Sequence, residues 1–356
     1  MLKETPFFSI VMPVYNVEKY LTDAVNSVIG QTFGDFELLL MDDCSPDKSP
    51  EMCDAFAESD ERIRAIHLEK NNGVSNTRNI GAQEASGKYL MFMDSDDYID
   101  TSLLADVYAS LEKNEAEVVV FGMSEELFSA QGEHISTKCT CVDEQLFSDR
   151  TQLRKYIVYL EQSTLYGYAC NKFYSVEYLR KIKIKYSEYA LLEDIYFNIA
   201  FFQDITKLNV LGNSSYHYRK VSDQNSRTAK FVNEYFELHR KKIEMLVNQQ
   251  QSWGVLSDDS KTIIADIFAR YIFSAIERNC DSRSGMNAKL RRQWLINLYD
   301  DEIVKLLLPF MSQGAGLQGK LNRFLVGHNI RVCLFFGEII SFIKRRFPVV
   351  FYKLKQ

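Results

Sequence analysis

Three carboxylates, Asp94, Asp96 and Asp97, fall within four positions at the end of an apolar run, residues 88–97 (KYLMFMDSDD). Such a run reads as a buried strand that delivers acids to a sheet edge. Carboxylates so crowded repel one another and raise one another's pKa unless a cation or hydrogen-bond donors compensate them, and hard oxygen ligands suit magnesium or manganese. A short Asp-x-Asp is common, and a solvated acidic turn before the helix that follows Asp100 is the competing reading. Other chemically useful groups are spread along the chain. Asp42 and Asp43 end a second apolar run. Arg78 lies early in a helical segment (GVSNTRNIGAQEASG), where its fork either pairs with an anion at the mouth of a sheet or faces solvent. Glu193 and Asp194 precede an apolar helix; acids there favour the helix dipole, and the same position can present a carboxylate to a cleft. His217, Arg219 and Arg227 stand in a hydroxyl-rich stretch, residues 214–228 (SSYHYRKVSDQNSRT), suited to a cationic loop that closes over a diphosphate.

The elements that must position these groups alternate in type. Residues 7–16 (FFSIVMPVYN) form a strand stopped by Pro13, and Asn16 is placed to cap a helix whose buried face is Val17, Tyr20, Leu21, Ala24, Val25, Val28 and Ile29. Residues 36–41 form the next strand, which runs into Asp42, Asp43 and a turn that starts another helix. A third strand spans 62–68, the turn at Asn71, Asn72 and Gly73 opens a helix over 74–85, and 88–97 supplies the fourth strand. A helix over 103–111 and a strand over 117–121 complete the sheet. The alternation predicts right-handed βαβ units in an α/β fold with a doubly wound, mostly parallel sheet, whose ligands bind at the carboxyl ends of the strands. Residues 123–147 read as a hairpin or excursion at the sheet edge, 171–184 as a short helix ending near Lys181, and everything after about residue 231 as helical.

The 356 residues, 46% hydrophobic and 25% charged, suffice for one large domain or two. A net charge of -6 without a long basic run before residue 320 gives no reason to expect nucleic-acid binding. The N-terminus lacks the pattern of a secretion signal and no run of about eighteen uncharged apolar residues occurs, so the expected location is the cytoplasm. Seven scattered cysteines without C-x-x-C pairs read as reduced thiols, and Cys139 with Cys141 are too few for a zinc site. No G-x-G-x-x-G follows the first strand and no G-x-x-x-x-G-K-[ST] occurs anywhere, which argues against dinucleotide and P-loop enzymes. From Lys320 onward eight Lys and Arg stand against one acid, Glu338, interleaved with Phe, Ile and Val. That composition fits a membrane-surface helix, a partner-binding helix or a terminal helix packed on the core.

Taken in order, SIVMPVYN, LLLMDDCSPD, GVSNTRNIGAQEASGKYLMFMDSDD, LLEDIYF and YHYR resemble the family 2 glycosyltransferases, which have the A-type glycosyltransferase fold. The resemblance covers about the first 230 residues. It implies a nucleotide-sugar-binding glycosyltransferase domain over 1–230, which leaves 231–356 as the helical region whose composition fits association with membrane, a partner or the core. It further implies inversion at the anomeric carbon of a nucleotide-activated sugar, usually a UDP-sugar, with Mg or Mn as the divalent cation and a glycan or lipid-linked acceptor at the inner membrane face. Carried over by residue, Pro13 and Tyr15 line the base pocket, Asp43 accepts from the uracil, and Arg78 lies by the nucleotide. Asp94 and Asp96 hold ribose and metal with Asp97 close behind, so that Asp96 and Asp97 are the expected metal residues. Asp194 is the catalytic base with Glu193 beside it, and His217 and Arg219 contact the diphosphate. At DDCSPD this chain departs from the frequent glycine and threonine of the family, which bears on the turn there. An in-line displacement needs no enzyme nucleophile, in keeping with the lack of a Ser-His-Asp or Cys-His arrangement. The alternative of a different class is a nucleotide-sugar-binding scaffold without turnover.

Overall fold

A computed structural model of the protein describes residues 5–187, 192–221 and 231–346. The chain divides into two compact units, Met1–Arg227 and Thr228–Gln356. In the first, β1 (Phe8–Val14), β2 (Phe36–Asp42), β3 (Ile63–His67) and β4 (Tyr89–Phe92) alternate with α1 (Leu21–Ile29), α2 (Ser49–Ser59) and α3 (Gly73–Glu84). β2 and β4 are buried at every position, which is the mark of parallel strands covered on both faces. The four strands pair in parallel in the order β3-β2-β1-β4. Close approach of α3 to β1 depends on glycine: a Cβ at Gly81 would fall 2.3 Å from Val11 Cγ1. At Gly87, before β4, it would fall 2.8 Å from backbone atoms of Phe8 and Ser9.

The sheet does not end near residue 121 as the alternation predicts. After α4 (Leu103–Lys113) and β6 (Val118–Val120), three later strands join it: β9 (Gln145–Phe147), β10 (Lys172–Ser175) and β11 (Leu208–Val210). The order is β3-β2-β1-β4-β10-β6-β11-β9. β10 is antiparallel to both its neighbours and β9 to β11, so six of the eight strands share one direction and the mostly parallel expectation holds. β10 occupies the start of the segment read as helix; its Phe173 and Tyr174 are wholly buried in the sheet, and α6 (Val176–Ile182) begins only after Ser175, whose side chain caps it.

A second, four-stranded sheet runs β5 (Tyr98–Ile99), β12 (Tyr216–Val221), β7 (Met123–Phe128), β8 (His134–Thr140). β7 and β8 form the hairpin expected within 123–147, although in this small sheet rather than at the edge of the large one. β12 is a correction, since its residues were expected in a loop. Alternate residues there face opposite sides of a ribbon pinned antiparallel to β5 and parallel to β7. Asn16 is a second correction. It adopts a left-handed φ of 55° rather than capping α1, which begins at Leu21 after a turn. The free N–H groups of Val17 and Glu18 donate instead to Ser49 Oγ and Asp47 Oδ2 of the neighbouring turn. α5 (Arg150–Gln162) and α7 (Glu193–Phe201) complete the unit.

The second unit is helical throughout its described residues: α8 (Tyr235–Ser252), α9 (Asp258–Asn279), α10 (Ala288–Leu298), α11 (Glu302–Leu307), α12 (Leu317–Val326) and α13 (Ile330–Arg346), with two short 3-10 turns. α9 is its core helix, with Ile264, Ala265, Phe268, Ala269 and Ile272 at or near zero exposure. Among the described residues no helix is long and apolar enough to cross a membrane.

Candidate active site

The carboxyl ends of β1, β2 and β4 open at one edge of the large sheet, and most of the expected residues gather there. Pro13 pairs with Met41 at the end of β1, and Tyr15, one residue past the strand, is 48% exposed. Asp43 is buried beside it, with its N–H on the Val14 carbonyl. Its two oxygens accept from the backbone N–H groups of Asn72 (2.7 Å) and Gly73 (2.9 Å), so this carboxylate anchors the N-terminus of α3. The unusual turn after it is explained by backbone geometry: Cys44 takes a left-handed φ of 60°, a conformation that glycine adopts more readily, and Asp42 Oδ1 accepts from Ser45 N–H to hold it.

α3 carries Arg78 into the protein, where it is 4% exposed. The reading of a solvent-facing arginine is thereby excluded. Its planar fork spans two carboxylates: Nη1 lies 2.6 Å from Asp194 Oδ1, and Nη2 lies 2.8 Å from Asp94 Oδ1. Burial works against its charge, and the fields of Asp194 and Asp94 more than offset it, holding the guanidinium firmly protonated. The Tyr186 ring covers it at 5.4 Å. Nε finds no acceptor among the described residues.

Asp194 stands in the first turn of α7, after Leu192 in a left-handed conformation. α7 is fixed by stacking of Phe197 on Tyr186 at 4.2 Å, within an aromatic cluster that includes Phe92 and Tyr174. The Asp194 carboxyl is pushed up to about 6, first by desolvation, with Arg78 opposing and Glu193 and Asp94 adding to the rise. Its side chain nevertheless keeps 25% exposure, so it is reachable from solvent. A carboxyl of this kind is largely ionised at neutral pH yet basic enough to accept a proton. Oδ2 receives the Ala169 N–H at 3.4 Å.

Residues that the sequence did not single out hold that turn. Lys172 is wholly buried and donates through Nζ to the carbonyls of Leu165 (2.7 Å) and Tyr168 (2.5 Å) and to Asn171 Oδ1 (2.8 Å). Burial brings its amine down to about 7. Asn198, on the buried side of α7, donates to the carbonyls of Tyr166, Gly167 and Tyr168. A polar residue inside the aromatic run of NKFY was the available signal for Lys172, because a lysine there must be solvated by protein carbonyls.

The second sheet closes the other side of the acid cluster. Asp97 is 1% exposed; Oδ2 accepts from the Tyr216 hydroxyl (2.6 Å) and Oδ1 from the Arg219 N–H (2.8 Å). Burial first, then the charges of Asp96 and Asp94, drive its carboxyl well up. The Arg219 guanidinium lies over the rings of Tyr20 (5.2 Å), Tyr98 (5.5 Å) and Phe128 (5.6 Å), with Nη2 3.2 Å from Asp23 Oδ2. His217 stacks on Tyr98 at 4.4 Å and places its ring nitrogens on Asp100 (2.9 Å) and Glu126 (3.1 Å). Its contacts are therefore two carboxylates of the small sheet. Arg227 lies outside the described residues.

Asp96 is exposed at the mouth of the cluster, yet the surrounding protein and the charge of Asp94 push its carboxyl up to about 6. It meets no partner side chain among the described residues. The Arg219 charge opposes that rise only in part, and a desolvated carboxylate next to a second acid suits a hard divalent cation. Of the two expected metal residues, Asp96 thus offers an uncommitted carboxylate, whereas both oxygens of Asp97 are engaged internally. No three His, Cys, Asp or Glu side chains among the described residues converge as a complete cage.

Fold and site together define an α/β protein whose polar centre lies at the carboxyl ends of the central strands. Residues 9–182, a stretch within the first unit, match the profile described as Glycosyl transferase family 2. The chain is 30% identical over 220 residues to "Uncharacterized glycosyltransferase EpsJ" of Bacillus subtilis, covering 60% of this chain and 61% of that protein. It is 29% identical over 257 residues to "Minor teichoic acid biosynthesis protein GgaB" of the same species, covering 68% of this chain and 27% of that protein. The chain thus spans less than two thirds of either relative. Among solved structures, S. aureus TarS 1-349 in complex with UDP-GlcNAc superimposes with a TM-score of 0.64 at 21% identity, covering 96% of this chain and 91% of that one. The fold is accordingly the A-type glycosyltransferase fold with a helical C-terminal region.

Proposed function

We propose that the protein is an inverting glycosyltransferase that moves a sugar from a UDP-sugar to a hydroxyl of a glycan or lipid-linked acceptor in surface polysaccharide synthesis. The observation that carries this reading is the bridge from Asp94 through Arg78 to Asp194, in which one buried guanidinium joins the acid cluster at the sheet edge to a carboxylate with its pKa raised to about 6. The names of relatives, a teichoic acid biosynthesis protein and a structure containing UDP-GlcNAc, support the substrate class.

In this reading Tyr15 and Pro13 border the base, and Asp43 reaches it while holding the N-terminus of α3. Asp194 takes the proton of the acceptor hydroxyl as that oxygen attacks the anomeric carbon, and the bond to the diphosphate oxygen breaks on the opposite face, giving inversion. Arg219, on β12, offers positive charge to the leaving diphosphate, and His217 steadies that strand through Asp100 and Glu126. A magnesium or manganese ion held at Asp96 beside Asp94 supplies charge neutralisation for the diphosphate when bound. Arg78 keeps Asp194 ionised and aimed, which is a different task from contacting the nucleotide alone.

A screen of nucleotide sugars, read as UDP release with and without glycan acceptors and with manganese or EDTA, tests the proposal. The expected result is acceptor-stimulated release from a UDP-sugar that is lost in EDTA. UDP binding without turnover of any donor would instead support the scaffold.

A further inference from the structure

α13 is apolar on two opposite faces. Its packing face, Cys333, Gly337 and Ser341, is buried against α9; a Cβ at Gly337 would fall 2.5 Å from Ile276 Cγ2, so the two helices are in close contact. On the other side Phe335 is 59% exposed, Ile339 36% and Phe342 57%, at i, i+4 and i+7, a single stripe about two turns long. Val332, Phe336 and Ile343 flank it, half buried. A helix of a globular unit ordinarily shows a polar outer face, so this stripe calls for an occupant.

The charges on the same side point to one. Arg331 and Arg346 are exposed near the two ends of the stripe and Arg345 beside it. The acid on this helix, Glu338, pairs with Arg291 at 3.1 Å. Positive charge therefore frames the stripe, although the whole chain carries a net charge of -6. The side chains still exposed in the stripe amount to roughly 300 Å², taking about 150–250 Å² for a whole aromatic side chain. That is well below the ~800 Å² that each partner of a stable dimer buries. Phenylalanine and isoleucine in a line, framed by arginines, match the interfacial region of an anionic bilayer. We infer that the outer face of α13 docks on an anionic lipid surface, with Phe335, Ile339 and Phe342 entering the headgroup boundary and Arg331, Arg345 and Arg346 meeting lipid phosphates. This narrows the sequence expectation of a basic membrane tail to one face of one helix, and it is independent of whether the first unit transfers sugar.

Vesicle flotation of the full chain tests it with no need for activity. Vesicles containing about 30% phosphatidylglycerol should carry the protein up, and pure phosphatidylcholine vesicles should carry much less. Phe335→Glu with Phe342→Glu should reduce binding to the anionic vesicles by about tenfold or more. Arg345→Glu with Arg346→Glu should remove the salt-sensitive part, and this pair serves if the first does not fold. Thermal melting and UDP binding report that each variant is intact. Failure of the wild-type chain to float with anionic vesicles would overturn the inference, as would unchanged binding by both folded variants. A dimer in solution that the Phe335→Glu and Phe342→Glu pair dissociates, with vesicles ignored, would assign the face to a second copy instead.

Discussion

Asp194 and Arg78 are individually unremarkable side chains whose properties come from their pairing. Desolvation raises the Asp194 carboxyl to about 6, and the Arg78 guanidinium 2.6 Å away is the main influence pulling it back. The sign for catalysis follows. In the proposed reaction the ionised form takes the proton, so transfer should climb about tenfold per pH unit below 6 and level off above it. Arg78→Met removes the opposing charge, so the midpoint of that rise should move upward, by about one unit or more. A pH profile of transfer at saturating donor checks it; an unchanged midpoint in an active Arg78→Met protein would mean that Arg78 does not govern the base. The sequence made Arg78 and Asp194 visible as candidates through their motifs. It did not show that they bind each other, because the 116 positions between them are closed only by the sheet.

At the scale of elements, the first four strands and their helices were readable because long apolar runs alternate with 3.6-periodic segments and each run ends in a turn residue. Of the later strands, β6 was readable as the run over 117–121, whereas β10, only four residues long, is too short to display a period and runs straight into a helix. β12 did carry a signal that was passed over: Tyr216 and Tyr218 alternate with His217 and Arg219, the two-residue repeat of a strand. That strand decides which side chains face the acid cluster, since Tyr216 and the Arg219 N–H both bind Asp97. The turn before β4 places the cluster and depends on Gly87. Gly87→Ala forces a methyl against the backbone of β1. It should lower stability by about 1–3 kcal/mol or more, read as a shift of the denaturant midpoint, because backbone cannot yield as a flexible side chain does. A midpoint equal to that of wild type would show that the turn adjusts freely.

For the molecule as a whole, the first unit supplies a sheet edge with acids, a bridging arginine and a carboxylate reachable from solvent, and the second supplies helices, one with an apolar outer stripe. The match of residues 9–182 to Glycosyl transferase family 2 falls within the first unit, and the donor screen decides which donor and acceptor it takes. The central claim is that one carboxylate performs chemistry and another binds the donor. The most direct measurement compares Asp194→Asn with Asp96→Ala for both sugar transfer and manganese-dependent UDP affinity by calorimetry. Asparagine keeps the shape of Asp194 but takes no proton, so transfer should fall by about two to four orders of magnitude with UDP affinity retained. Asp96→Ala should lose the manganese-dependent part of UDP affinity together with activity. As a helix cap Asn would serve nearly as well as Asp. Near-normal transfer by a folded Asp194→Asn protein would therefore contradict the account and move the search for the base to Glu193.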